Sequence, residues 1–187
     1  MTVRPVAREE IVDYETYREQ REAYREKVMA LKAARRVHVG PCLTFLFENR
    51  ETVRYQVQEM MLAERIVKEA DIRHELETYN ELLGGPGELG VTLLIEIDDP
   101  EERDVKLRRW LDLPGRLYLR LADGRRVRPT VDPRQIGEDR LSSVHYLKFD
   151  VGGETPVAAG CDHPELAFET PLTADQRRAL AEDLAQA

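Results

Sequence analysis

Residues 42–70 read CLTFLFENRETVRYQVQEMMLAERIVKEA, and the change of period inside this stretch decides the fold. Cys42 to Phe47 alternates: Leu43, Phe45 and Phe47 point one way, and Cys42, Thr44 and Leu46 the other. Both faces are largely apolar, as in a central strand. Glu48 to Ala70 then turns to a helical period, with Asn49 placed to cap it. On a helical wheel Arg50, Glu51, Arg54, Gln58, Arg65, Lys68 and Glu69 form a polar stripe. Val53, Tyr55, Val57, Met60, Leu62, Ala63, Ile66 and Val67 cover the wider remainder, which predicts a helix packed on several sides.

Outward from this strand and helix, the elements are mixed. Residues 8–35 read as a helix with Tyr17, Tyr24, Val28 and Leu31 on one stripe. Its expected role is to pack on the core; the alternative is a partner-binding helix with that stripe free. Residues 70–81 allow a second short helix, and GGPGELG at 84–90 is a loop. Gly90 to Asp98 alternates as a strand. Asp99, Pro100 and Glu102 then open a helix expected to end near Leu113. LYLRLADGRRVRP at 117–129 reads as a hairpin turning at Asp123-Gly124. Ser142 to Val151 is a strand with His145, Leu147, Phe149 and Val151 on one face. Residues 156–161 and 165–170 are shorter strands, and Thr173 with Gln176 boxes a last helix. The expectation is an α+β fold, a mostly antiparallel or mixed sheet against a long central helix, with helical N- and C-terminal segments. One domain is expected over residues 1–187, with residues 1–36 as a helical segment packing on it.

Composition narrows the classes. A net charge of -8 argues against a general nucleic-acid or acidic-membrane surface. Two cysteines, Cys42 and Cys161, make no disulfide framework. MTVRPVAREEIVDYE holds no apolar leader run, and no stretch is apolar enough to span a bilayer. A soluble cytoplasmic protein is the expectation.

Three polar residues interrupt the apolar side of the helix at 48–70. Glu64 has Lys68 four residues on and reads as an edge residue. Glu59 has no cationic helical neighbour, so its partner must come from elsewhere, and Gln56 is the one local donor. One reading is a structural network. The other is a site, with Glu59 and His145 as catalytic groups and Gln56 and Asn49 binding a ligand. His145, on an apolar strand face, is otherwise a core histidine.

Cys161-Asp162-His163-Pro164 carries candidate metal ligands, Cys161 and His163, without the spacing of a structural zinc site. His38 and Cys42 join them only if the fold brings the segments together. Arg120, Arg125, Arg126 and Arg128 make a basic hairpin, either a solvated guarded edge or a seat for an acidic partner or phosphate. No phosphate loop or serine elbow is present.

The run RVHVGPCLTFLFENRETVRYQVQEMMLAERI at 36–66 resembles the signature of an uncharacterised bacterial family of about this length, a domain of unknown function. YNELL at 79–83, SSVHYLKF at 142–149 and the Asp162-His163-Pro164 turn resemble it too. The resemblance implies a single-domain protein with no assigned activity and no catalytic residues to carry over. It also implies a place near redox or peroxide metabolism, beside rubrerythrin-like or iron–sulfur reductase-like partners. The chain offers no cysteine cluster for an iron–sulfur centre, so such a role is docking or assistance. Two functions stand: an accessory or interaction protein, and a small enzyme or ligand-binding protein built on Glu59, Gln56 and His145. The residues select no cofactor and no oligomeric state.

Overall fold

The computed structural model describes residues 4–186. The chain enters extended, with one 3-10 turn at Arg8–Glu10. Helix α1 (Tyr14–Ala33) starts later than the sequence suggests, because Asp13 caps it by accepting from the Thr16 N–H. Its stripe does pack inward: Tyr17 and Val28 are buried. Strand β1 (Arg36–Val39), which the sequence reading did not anticipate, turns at Gly40 into β2 (Leu43–Phe47). Gly40 has φ +62°, and the Phe168 ring lies where a Cβ would stand, so the turn takes only glycine without rearrangement.

Helix α2 spans Arg50–Glu64 and stops well before Ala70. Asn49 caps it as expected, in a reciprocal box with Thr52. Its end is a Schellman turn. Arg65 is left-handed, its N–H donates to the Leu62 carbonyl, and the Ile66 N–H donates to the Met61 carbonyl. Lys68 then stands at the N-cap position of a separate helix α3 (Glu69–Asn80) without a side-chain capping bond, so the Glu64–Lys68 helical pair does not form.

Strand β3 (Glu88–Ile95) leads to α4 (Pro100–Arg109) and the single turn α5 (Leu113–Arg116). Asp99 caps α4, but Glu102 pairs with Lys106 instead of reaching back, so only one arm of the expected box forms. The hairpin β4 (Leu117–Arg120) and β5 (Arg126–Val127) follows, then β6 (Thr130–Val131). Strands β7 (Val144–Asp150), β8 (Ala158–Cys161) and β9 (Phe168–Pro171) precede α6 (Ala174–Ala185), where the Thr173–Gln176 box forms in full.

Every strand pairing is antiparallel, in two sheets ordered β1-β2-β3-β7-β6 and β5-β4-β8-β9. The fold is α+β. One core joins the facing sheet surfaces, with Phe45, Leu93, Leu147 and Phe149 from the first sheet and Leu117, Leu119, Ala159 and Cys161 from the second. Trp110, Leu113 and Leu180 close it from the helices. Each large side chain buried there contributes about 1.5–3 kcal/mol. A second cluster gathers Val53, Val57 and Met61 of α2 with Ile72 and Leu76 of α3 and with Val6 and Ile11 of the entering segment. Side-chain amides hold that segment as a partner strand would: Asn80 bonds both the N–H and C=O of Val6, and Gln58 those of Val12.

Candidate functional site

Glu59 leaves α2 toward α1, where it meets an arginine. Arg21 donates from Nε to Oε1 at 2.9 Å and from its second nitrogen to Oε2 at 3.1 Å, and Tyr17 donates to Oε1 at 2.7 Å. Burial pushes the carboxyl up, but the bonds from Arg21 and Tyr17 outweigh it and hold Glu59 below its ordinary range. The same contact and burial raise the Tyr17 hydroxyl. Glu59 is thus an ionised acceptor with both oxygens engaged. Gln56 is half-buried and makes no hydrogen bond to it among the described residues. The glutamine that matters is Gln58, which the wheel put on the polar stripe; it is 2% exposed and holds Val12.

His145 is fully buried opposite Leu93 on the core side of β7. Its Nε2 bonds the Ser142 carbonyl at 2.8 Å, and its Nδ1 has no partner among the described residues. Burial lowers its pKa and keeps the ring neutral. No hydrogen bond joins it to Glu59, which faces α1. Asn49 serves α2 as its cap and also donates to Asp183 at 3.3 Å.

Around residue 161 the backbone turns tightly. The His163 N–H meets Cys161 Sγ at 3.4 Å, and the Glu165 N–H donates to His163 Nδ1 at 3.2 Å. That bond leaves the ring proton on Nε2, facing Asp112 at 3.4 Å. A base for the thiol is therefore missing on that ring, and burial pushes the Cys161 thiol up to about 11. Asp162 is paired with Arg128. His38 bonds Thr44. Among the described residues, no group of three or more His, Cys, Asp or Glu side chains is placed to hold a metal ion.

The basic hairpin is internally neutralised. Arg120 pairs with Glu169, Arg125 with Asp123 and Glu154, and Arg126 and Arg128 with Asp162. Arg126 also lies over the Tyr118 ring, 4.2 Å from its centre. An acidic partner or a phosphate would compete with carboxylates already in place.

Two concavities among the described residues bear on function. The larger, about 790 Å³, is a trough over α1 lined mostly by Arg18, Arg21, Glu22, Arg25 and Glu26. Such solvated charge along one helix offers little to grip. The other, about 660 Å³, is a cleft between two elements, in the size range of ligand sites. Thr78, Tyr79 and Leu82 at the end of α3 form one wall; Thr130, Gln135, Tyr146 and Lys148 on and beside β6–β7 form the other. Tyr146 is 43% exposed here, and its hydroxyl is raised by burial and by nearby Tyr79 and Glu48. The sequence reading missed this cleft. The one available signal was outward Tyr146 alternating with inward His145 and Leu147.

The fold and these sites define a two-sheet α+β protein in which Glu59, His145 and His163 each have a hydrogen-bond partner and a cleft opens between α3 and β6–β7. The chain belongs to the family described as protein of unknown function (DUF3501), whose model matches residues 5–184. It is similar to the crystal structure of a novel protein of unknown function from Burkholderia pseudomallei, at 30% identity and a TM-score of 0.88. That likeness covers 97% of this chain and 100% of the other. No curated protein matches the sequence. No helix among the described residues is long and apolar enough to cross a membrane.

Proposed function

We propose that this protein works by binding, as an accessory or interaction protein, and that the α3/β6–β7 cleft is where its partner docks. One observation carries this reading: the first sheet leaves Tyr146 and Val144 uncovered on its outer face, beside a cleft walled by Tyr79 and Leu82. Aromatic side chains that are half-buried at rest supply contact area at low entropic cost when a partner arrives. The engaged state of Glu59 and the isolation of His145 favour binding over the enzyme reading built on them, with Gln56 beside them.

The first partner class to test is the one the resemblance implies, a rubrerythrin-like or iron–sulfur reductase-like protein of redox or peroxide metabolism. A photo-crosslinking amino acid placed at Tyr146, in cells that make the protein natively, tests both levels. The control position is Val105, which is 59% exposed on α4. A discrete adduct from position 146 alone is expected. No adduct, or the same adducts from both positions, overturns binding at the cleft. An adduct with a protein outside redox metabolism removes the redox assignment and leaves the binding one.

A further inference from the structure

Strand β6 ends after two residues. Thr130 faces Lys148 and Val131 faces Leu147, so the register would next set residue 132 against Tyr146. The chain leaves the sheet there. Asp132 accepts from the Arg134 N–H and opens a 3-10 turn at Pro133, which cannot donate to a ladder. The missing backbone is replaced by a side chain: Gln135 Oε1 accepts the Tyr146 N–H at 2.7 Å, and Gln135 Nε2 donates to the Tyr146 carbonyl at 3.0 Å. One position on, the Val144 N–H donates to Ser142 Oγ. At Tyr146 the outer edge of β7 is thus closed by a side chain rather than by a strand.

The surroundings are apolar. Among the described residues, six large apolar side chains stand exposed: Val67, Val105, Ile136, Val144, Tyr146 and Phe168. Three of them, Ile136, Val144 and Tyr146, lie on this edge or next to its plug. The cleft with Tyr79 and Leu82 opens alongside.

We infer that Gln135 is a displaceable plug, and that β7 from Val144 to Tyr146 takes an extended polypeptide segment from a partner, added as a further antiparallel strand. The inference rests on the binding reading above and names the partner's chemistry. An incoming strand residue supplies the same donor and acceptor pair that Gln135 supplies now, so the exchange leaves no buried polar group unmet. The partner's alternate side chains are apolar, to cover Val144 and Tyr146 on the outer face. Asn80 on Val6 and Gln58 on Val12 show the fold already holding an extended segment through paired amide bonds.

The test is an NMR titration of the full chain with a capped octapeptide alternating valine and threonine. Its analogue N-methylated on alternate residues, which cannot donate along one edge, is the control. Shifts confined to Gln135 and Val144–Tyr146 are expected from the first peptide, with the analogue at least about tenfold weaker. Gln135→Ala should tighten the first peptide about tenfold, the order of effect expected from removing its two competing hydrogen bonds. Equal affinity of the two peptides, no shifts, or shifts elsewhere overturn the inference; the comparison on the wild-type chain stands even if the variant is destabilised. Concentration-dependent dimerisation of the folded variant through this edge would assign it to a second copy and also overturn the partner assignment. A crosslinked partner at Tyr146 together with equal peptide affinities would leave docking at the cleft and remove strand addition.

Discussion

At Glu59 a carboxylate on an apolar helical face is held by neighbours that act on it electrostatically. Two bonds from Arg21 and one from Tyr17 favour the charged form, and the side chain is 22% exposed, so the pair is neither dry nor freely solvated. Glu59→Gln should therefore cost about 1 kcal/mol at pH 7, read by urea denaturation. Its pKa is lowered on folding from the ordinary 4.5, so this stabilisation is present above that value and is lost as pH falls through the folded-state pKa. The gap between wild type and variant should close in acid. A variant as stable as wild type at pH 7, or a gap that persists below the folded-state pKa, would contradict the ion-pair account. The need for an outside partner was legible because no helical neighbour is cationic. That the partner is Arg21 was not legible, since it lies 38 residues away on another helix.

Element boundaries separated according to whether their signals are local. The caps at Asn49 and Thr173 depend on a side chain and an N–H three residues on, and both formed as the sequence implied. The end of α2 did not, because a Schellman turn usually announces itself with glycine and here uses Arg65 at φ 52°. Ile66 supplies the reason the turn holds, packing on the cluster that contains Met61. Arg65→Gly should remove the left-handed strain and stabilise the protein by about 0.5–1 kcal/mol, seen as a raised Tm. A lowered Tm would mean the arginine contributes more than its backbone costs. Strand β1 was missed for a related reason: four residues after a long helix carry too few alternations to show a period.

The whole molecule is closed by a contact with no local signature. Arg35, at the end of α1, makes two bonds of 2.8 and 2.9 Å to Asp183 on α6, and Asn49 joins the same carboxylate. Arg35 is 5% exposed, which makes this the most buried ion pair described. Asp183→Ala leaves a guanidinium buried without its counter-charge and should cost about 3–5 kcal/mol. The readout is the urea midpoint, with faster tryptic cleavage at Arg177 and Arg178 as α6 loosens. Arg35→Met combined with Asp183→Leu should recover most of the loss, because the penalty lies in the unpaired charge. A double variant as weak as the single one would place the loss in packing instead. The arginines of the β4–β5 hairpin teach the same lesson from the surface: read in order they are a basic patch, and folded they are neutralised by acids from β9 and the loops.

By itself the sequence determined the α+β class, the inward face of β7, the central place of β2 and most helix starts. Each follows from a period or a cap spanning a few residues, where backbone geometry dictates side-chain direction. Tertiary structure alone decided that the strands form two sheets, that Glu59 meets Arg21 and not His145, and that β6 stops short so that Gln135 closes the edge of β7. Those outcomes depend on pairings between residues on different elements, whose free energy exists only once both partners are held in place.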